Sequence, residues 1–122
     1  MATKETGKVN NNLEPIIELE FSGGIKIECT VDTWFNGMLF LPRDFIEQNN
    51  FDLIGEESFH SVSQADAHLA EVYSAKVKWF DEEIEVSIIA GEHDSALIGA
   101  EMMLGAKLEI DYVDSTVVIE KK

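Results

Sequence analysis

The sequence predicts an all-β domain, and three observations carry that reading. Apolar residues alternate with polar ones in run after run, short glycine-rich or acidic turns separate the runs, and only two brief segments read as helical. A chain patterned this way buries one face of each strand against a shared core.

The alternation begins after a polar stretch. Residues 1–12 end in Asn10-Asn11-Asn12 and show no period, so they read as a flexible tail, with the domain spanning 13–122. Ile17, Leu19 and Phe21 alternate with Glu18, Glu20 and Ser22, and Gly23-Gly24 supplies a tight hairpin turn. Ile25, Ile27, Cys29 and Val31 continue the apolar row and run into Asp32-Thr33-Trp34-Phe35-Asn36-Gly37, a loop whose Asn-Gly marks a turn. Met38 to Leu41 reads as a short strand, and Pro42 then opens a helical turn through Gln48. A weaker strand is expected near Ser58–Gln64, followed by a long one with Leu69, Tyr73, Ala75, Val77 and Trp79 on one face. Asp81-Glu82 makes the next turn and Ile84, Val86 and Ile88 the next inward row. Ala96 to Gly99 is a compact apolar run, Ala100–Leu104 a short helix, and Leu108, Ile110 and Tyr112, then Val117 and Ile119, two closing strands.

Composition narrows the partners. The 122 residues fit one domain, and 45% hydrophobic content is enough for a real core. With 24 acidic residues against 9 basic, the net charge is −15, a surface that repels phosphate backbones and anionic lipid heads. Nucleic acid and membrane partners are therefore not expected. The lone Cys29 sits in an apolar row and reads as a buried, inert thiol. His60, His68 and His93 are scattered without metal spacing, so no metal or other cofactor is expected. The first residues lack the apolar run of a signal peptide, which makes the cytoplasm the simplest address.

The two halves repeat one grammar: hairpin, alternating strand, glycine-containing loop, short helix. Their hairpin turns lie about 58 residues apart, counting Gly23 to Asp81. The first loop holds a lone carboxylate, the second an apolar-apolar-Gly.

These segments, in order, carry a resemblance. Val31-Asp32-Thr33, followed by Phe35 to Pro42, resembles the Asp-Thr-Gly segment of bacterial retropepsin-like (clan AA) aspartic proteases. Ala65-Asp66-Ala67 resembles that family's flap-region Ala-Asp-Gly, Ala96 to Ala100 its apolar-apolar-Gly, and Leu108 to Asp111 its closing strand. The similarity spans about Ile17 to Glu120. It implies a half-barrel that pairs into a two-fold homodimer, with catalytic Asp32 and Thr33 on each chain and Trp34, Asp66 and Ala67 near a peptide or protein substrate. Two carboxylates at the axis would share one proton, because like charges that close cannot both stay ionised.

Two positions depart from the family pattern: Trp34 and Ala67 stand where glycine is usual. The Trp34 ring is expected to swing aside into a subsite, to plug the cleft, to accompany a rearranged loop, or to sit in the core. Asp32 has a plainer reading as a carboxylate capping its own turn. Three functions follow: a dimeric aspartic endopeptidase, a non-catalytic dimer of the same fold that binds extended peptides, or an unrelated small β interaction module.

Overall fold

The computed structural model describes residues 3–60 and 67–122. The first hairpin forms as its alternation dictates. Strand β2 (Pro15–Phe21) puts Ile17, Leu19 and Phe21 into the core at no more than 2% exposure each. It turns through Gly23 and Gly24, at φ of 92° and 83°, into β3 (Ile25–Val31). Only glycine takes those angles without strain. Beyond the Asp32 loop come β4 (Leu39–Pro42) and the helix α1 (Arg43–Gln48). Pro42 closes the strand instead of opening the helix; its φ of −60° suits both positions.

The second half contains β5 (Asp52–His60), β6 (Ala67–Trp79), β7 (Glu82–Gly91), β8 (Leu97–Ile98), a 3-10 helix over Ala100–Met103, β9 (Ala106–Asp111) and β10 (Thr116–Lys121). The β6–β7 turn uses Phe80 and Asp81, at φ of 54° and 63°, one residue earlier than the acidic pair suggested. Two left-handed residues match the right-handed twist of the strands they join.

Preceding them all is β1 (Lys4–Val9), which corrects the expectation of a flexible tail over 1–12. The segment is a full member of the sheet, antiparallel to β10 from Lys4↔Glu120 to Lys8↔Thr116 and to β2 at Lys8↔Ile16. Its stability comes from backbone pairing on both sides, which leaves no apolar period to read. Gly7 is required by the close crossing, since a Cβ there would fall 1.9 Å from the Ile16 carbonyl oxygen. Glu5 fastens the strand to the β6–β7 turn by accepting the Phe80 N–H at 2.7 Å. Burial pushes the Glu5 pKa up; the Phe80 N–H pulls it back and the Asp81 charge raises it further.

Three further expectations change. β5 begins at Asp52, well before the expected Ser58, and 61–64 lie outside the described residues. Leu69 is 75% exposed, because β6 runs out past the core before it meets β7. Tyr112 is also exposed, in the turn that Asp111 caps by accepting the Val113 and Asp114 N–H groups.

The strand order is β5-β6-β7-β4-β8-β3-β2-β1-β10-β9, and a β2–β6 pairing at Phe21↔Val77 curls the sheet around the core. At its centre, β8 runs parallel to β3 (Thr30↔Leu97, Val31↔Ile98), and β4 runs parallel to β7 (Leu39↔Ile88, Phe40↔Ile89). β4 and β8 pair antiparallel between them. Thr30 and Ile88, Val31 and Ile89, Leu39 and Leu97, and Phe40 and Ile98 are each 58 residues apart. Each parallel pairing therefore maps onto the other under that offset, so the repeat legible in the sequence is a structural pseudo-dyad.

Candidate active site

The Asp32 loop is built almost wholly from backbone hydrogen bonds. β3 delivers it: Thr30 N–H donates to the Ala96 carbonyl at 2.8 Å and Asp32 N–H to the Ile98 carbonyl at 2.9 Å. The loop then closes on its own acid. Asp32 Oδ1 accepts the Trp34 N–H at 3.0 Å, and the Asp32 carbonyl accepts the Phe35 N–H at 3.2 Å. The plainer reading of Asp32 as a turn cap is thus met by one oxygen, which fixes the carboxylate's orientation. Asp32 is half-buried and Thr33 exposed.

The stretch after β8 backs this loop. Gly99 N–H donates to the Met38 carbonyl at 2.8 Å, Ala100 N–H to Phe35 at 2.7 Å and Glu101 N–H to Gly37 at 3.3 Å. A Cβ on Gly99 would lie 2.0 Å from the Gly37 oxygen and 2.7 Å from Phe35 Cδ2, so the loops approach this closely only with glycine there. The Phe35 ring fills the space beneath and meets Phe40 edge-on, centroids 6.0 Å apart. The apolar-apolar-Gly noted in the sequence, Leu97-Ile98-Gly99, thus lies behind the loop. The surfaces Gly99 presses on, Phe35 and Gly37, were not legible, because Asn36-Gly37 signalled only a turn.

Trp34 is 82% exposed, which rules out its reading as a core aromatic. Its φ is not positive, so the backbone accommodates a side chain where the family has glycine. Asp32, Thr33 and Trp34 share one turn. Ala67 opens β6 opposite His60, and Asp66 lies outside the described residues. Cys29 is fully buried, and burial pushes its thiol up to about 12, which keeps it protonated and unreactive. Among the described residues no group of three or more His, Cys, Asp or Glu is placed to hold a metal.

A rigidly held carboxylate beside an exposed threonine and an exposed ring can orient a water or a hydroxyl. The bonds Asp32 makes among the described residues go to backbone groups. Acid–base chemistry on a shared proton therefore calls for a carboxylate from elsewhere.

No family model matches the chain, and no curated protein does. Solved structures do. A retropepsin-like aspartic protease from Rickettsia conorii aligns over 99% of this chain and 93% of its own, at TM-score 0.68 and 17% identity. The EIAV protease in complex with the inhibitor HBY-793 aligns over 83% and 97%, at TM-score 0.61 and 12% identity. The Simian Foamy Virus (mac) protease aligns over 73% and 91%, at TM-score 0.54 and 18% identity. At such identities the likeness is one of architecture, and the architecture is plain: this chain has the retropepsin-like all-β fold.

Proposed function

We propose that the protein is an aspartic endopeptidase that hydrolyses peptide bonds as a homodimer, with one Asp32 from each protomer. The observation that carries this reading is the crossover itself. It holds an oriented carboxylate at Asp32, while the position 58 residues on is Ala90, so this fold unit offers one acid and, in the proposed dimer, a second copy supplies the other.

In the proposed reaction the ionised Asp32 takes a proton from water, and the water oxygen bonds to the peptide carbonyl carbon. The protonated Asp32 of the other protomer gives its proton to the carbonyl oxygen. The tetrahedral intermediate then collapses: the first carboxyl gives the proton it took from water to the amide nitrogen, the C–N bond breaks, and a hydroxyl of the intermediate returns a proton to the second carboxylate, so the pair again holds one proton. Thr33, exposed on the same turn, would bond across the two-fold axis, and Gly99 with Phe35 would hold each loop rigid. Trp34, Asp66 and Ala67 are proposed to contact the peptide or protein substrate. The chemistry needs no cofactor.

Asp32→Asn tests the assignment. Asparagine keeps the shape but takes up no proton, so cleavage, which should be strongest on the acid side of neutral, should vanish. Undiminished cleavage by the variant would remove Asp32 from the mechanism. Dimerisation should strengthen with salt, because each protomer carries −15 and added ions screen the mutual repulsion.

A second reading has its own support. An indole 82% exposed on the catalytic turn can occupy the cleft, leaving a dimer that binds extended peptides without cutting them.

A further inference from the structure

Arg43 is the only arginine in a chain with 24 acidic residues, and it is the first residue of α1. Its guanidinium joins elements far apart in sequence. Nη1 donates to Glu71 Oε1 on β6, while Nε and Nη2 donate to Glu92 Oε1 just past β7, at 3.1 and 2.9 Å. Tyr73 adds its hydroxyl to the same Glu71 oxygen at 3.4 Å. The lysine ion pairs differ in kind: Lys4–Glu120, Lys8–Glu28, Lys78–Glu20 and Lys121–Glu82 each join a single ammonium to one carboxylate, at 3.6–3.8 Å.

The two carboxylates lie where two ladders end. The β6–β7 ladder ends at Val72↔Ile89. From Glu71 back to Ala67 the strand pairs with β5, as a two-stranded arm running off the sheet. Glu71 is therefore the first residue of the arm. It lies directly opposite Glu56 in the β5–β6 register, and like charges facing each other across a ladder repel. Glu92 follows Gly91, the residue paired with Pro42 at the end of the β4–β7 ladder. The segment it opens leads to Ala96 and Ile98, whose carbonyls hold Thr30 and Asp32.

We propose that Arg43 is a two-sided latch that fixes the root of the β5–β6 arm to the segment holding the Asp32 loop. It offsets the Glu56–Glu71 repulsion and sets the angle at which the arm leaves the sheet. Arginine suits this work because its planar fork bonds two carboxylates at once, whereas a lysine ammonium is a single point charge. The group is half-exposed, so ionic strength loosens the latch and frees the arm.

Amide hydrogen exchange tests the latch without any need for peptide cleavage. In Arg43→Met, segments 56–58 and 69–71 should exchange about tenfold faster, while β2, β3 and β10 keep their protection. Arg43→Lys should fall between wild type and Arg43→Met. Raising salt to about 1 M should speed exchange in the wild-type arm and slow it in the Arg43→Met arm, where only the Glu56–Glu71 repulsion is left to screen. If Arg43→Met does not fold, Glu92→Gln severs the segment side alone and should give the intermediate result. Unchanged arm exchange would overturn the proposal, as would equal acceleration across the whole sheet.

Discussion

The two crossing strands at the centre of the sheet share one geometry and differ in chemistry. β3 with β8 and β7 with β4 are the same parallel pairing repeated 58 residues apart. In the first, the strand ends at Val31, and Asp32 leaves the ladder half-buried, its carboxylate bonded to Trp34 N–H. In the second, β7 continues through Gly91, so Ala90 stays in the ladder opposite Leu41 at 5% exposure. Two more residues of pairing remove the space and the polar partners that a carboxylate needs. One chain therefore carries an oriented carboxylate, the candidate site, on one side of its pseudo-dyad and plain core on the other.

Placing an acid on the plain side would break the comparison most severely. Ala90→Asp should destabilise the fold by about 3–5 kcal/mol, the scale of an uncompensated buried charge. A chemical denaturation curve reads this directly, and an unchanged midpoint would mean that the second crossover is as open as the first. Gly99 gives a smaller effect. It backs the Asp32 loop, and its counterpart in the first half is Leu41, a full side chain in the core. Gly99→Ala should cost about 1–3 kcal/mol by forcing the two loops apart, and it should reduce cleavage beyond what the lost stability explains. Equal activity per folded molecule would make Gly99 a packing residue only.

The smallest expected change in stability belongs to Trp34→Gly. With the ring 82% exposed, its removal should shift stability by no more than about 0.5 kcal/mol. Activity measured beside the melt then separates the two functional readings. New or faster cleavage at an unchanged melting temperature places the ring in the cleft of a working site. Absent cleavage in both proteins favours the peptide-binding dimer.

Much of this was legible in the residues. Ile17, Leu19 and Phe21 gave β2 its face, Gly23-Gly24 its turn, and the order of Asp32, Gly99 and the closing strand the fold family. The 58-residue spacing, weak as a sequence signal, recurs in the register of the pairings. What stayed hidden depends on backbone or on long-range charge. β1 has Val9 as its single large apolar residue, and its place comes from two ladders of backbone bonds. Leu69 fits an inward period but lies on an arm that has left the core. Arg43 bonds carboxylates 28 and 49 residues away, which no local pattern encodes; its being the sole arginine was the available signal.

The central claim is that one site takes an acid from each of two chains. Mixing wild type with Asp32→Asn at fixed total concentration, after exchange of protomers, tests it most directly. If both Asp32 carboxylates are needed, only dimers of two wild-type chains cut, and activity falls as the square of the wild-type fraction. An equal mixture should then retain about one quarter of the starting rate. A fall in simple proportion, to about one half, would contradict the account by showing that each chain carries a complete site of its own.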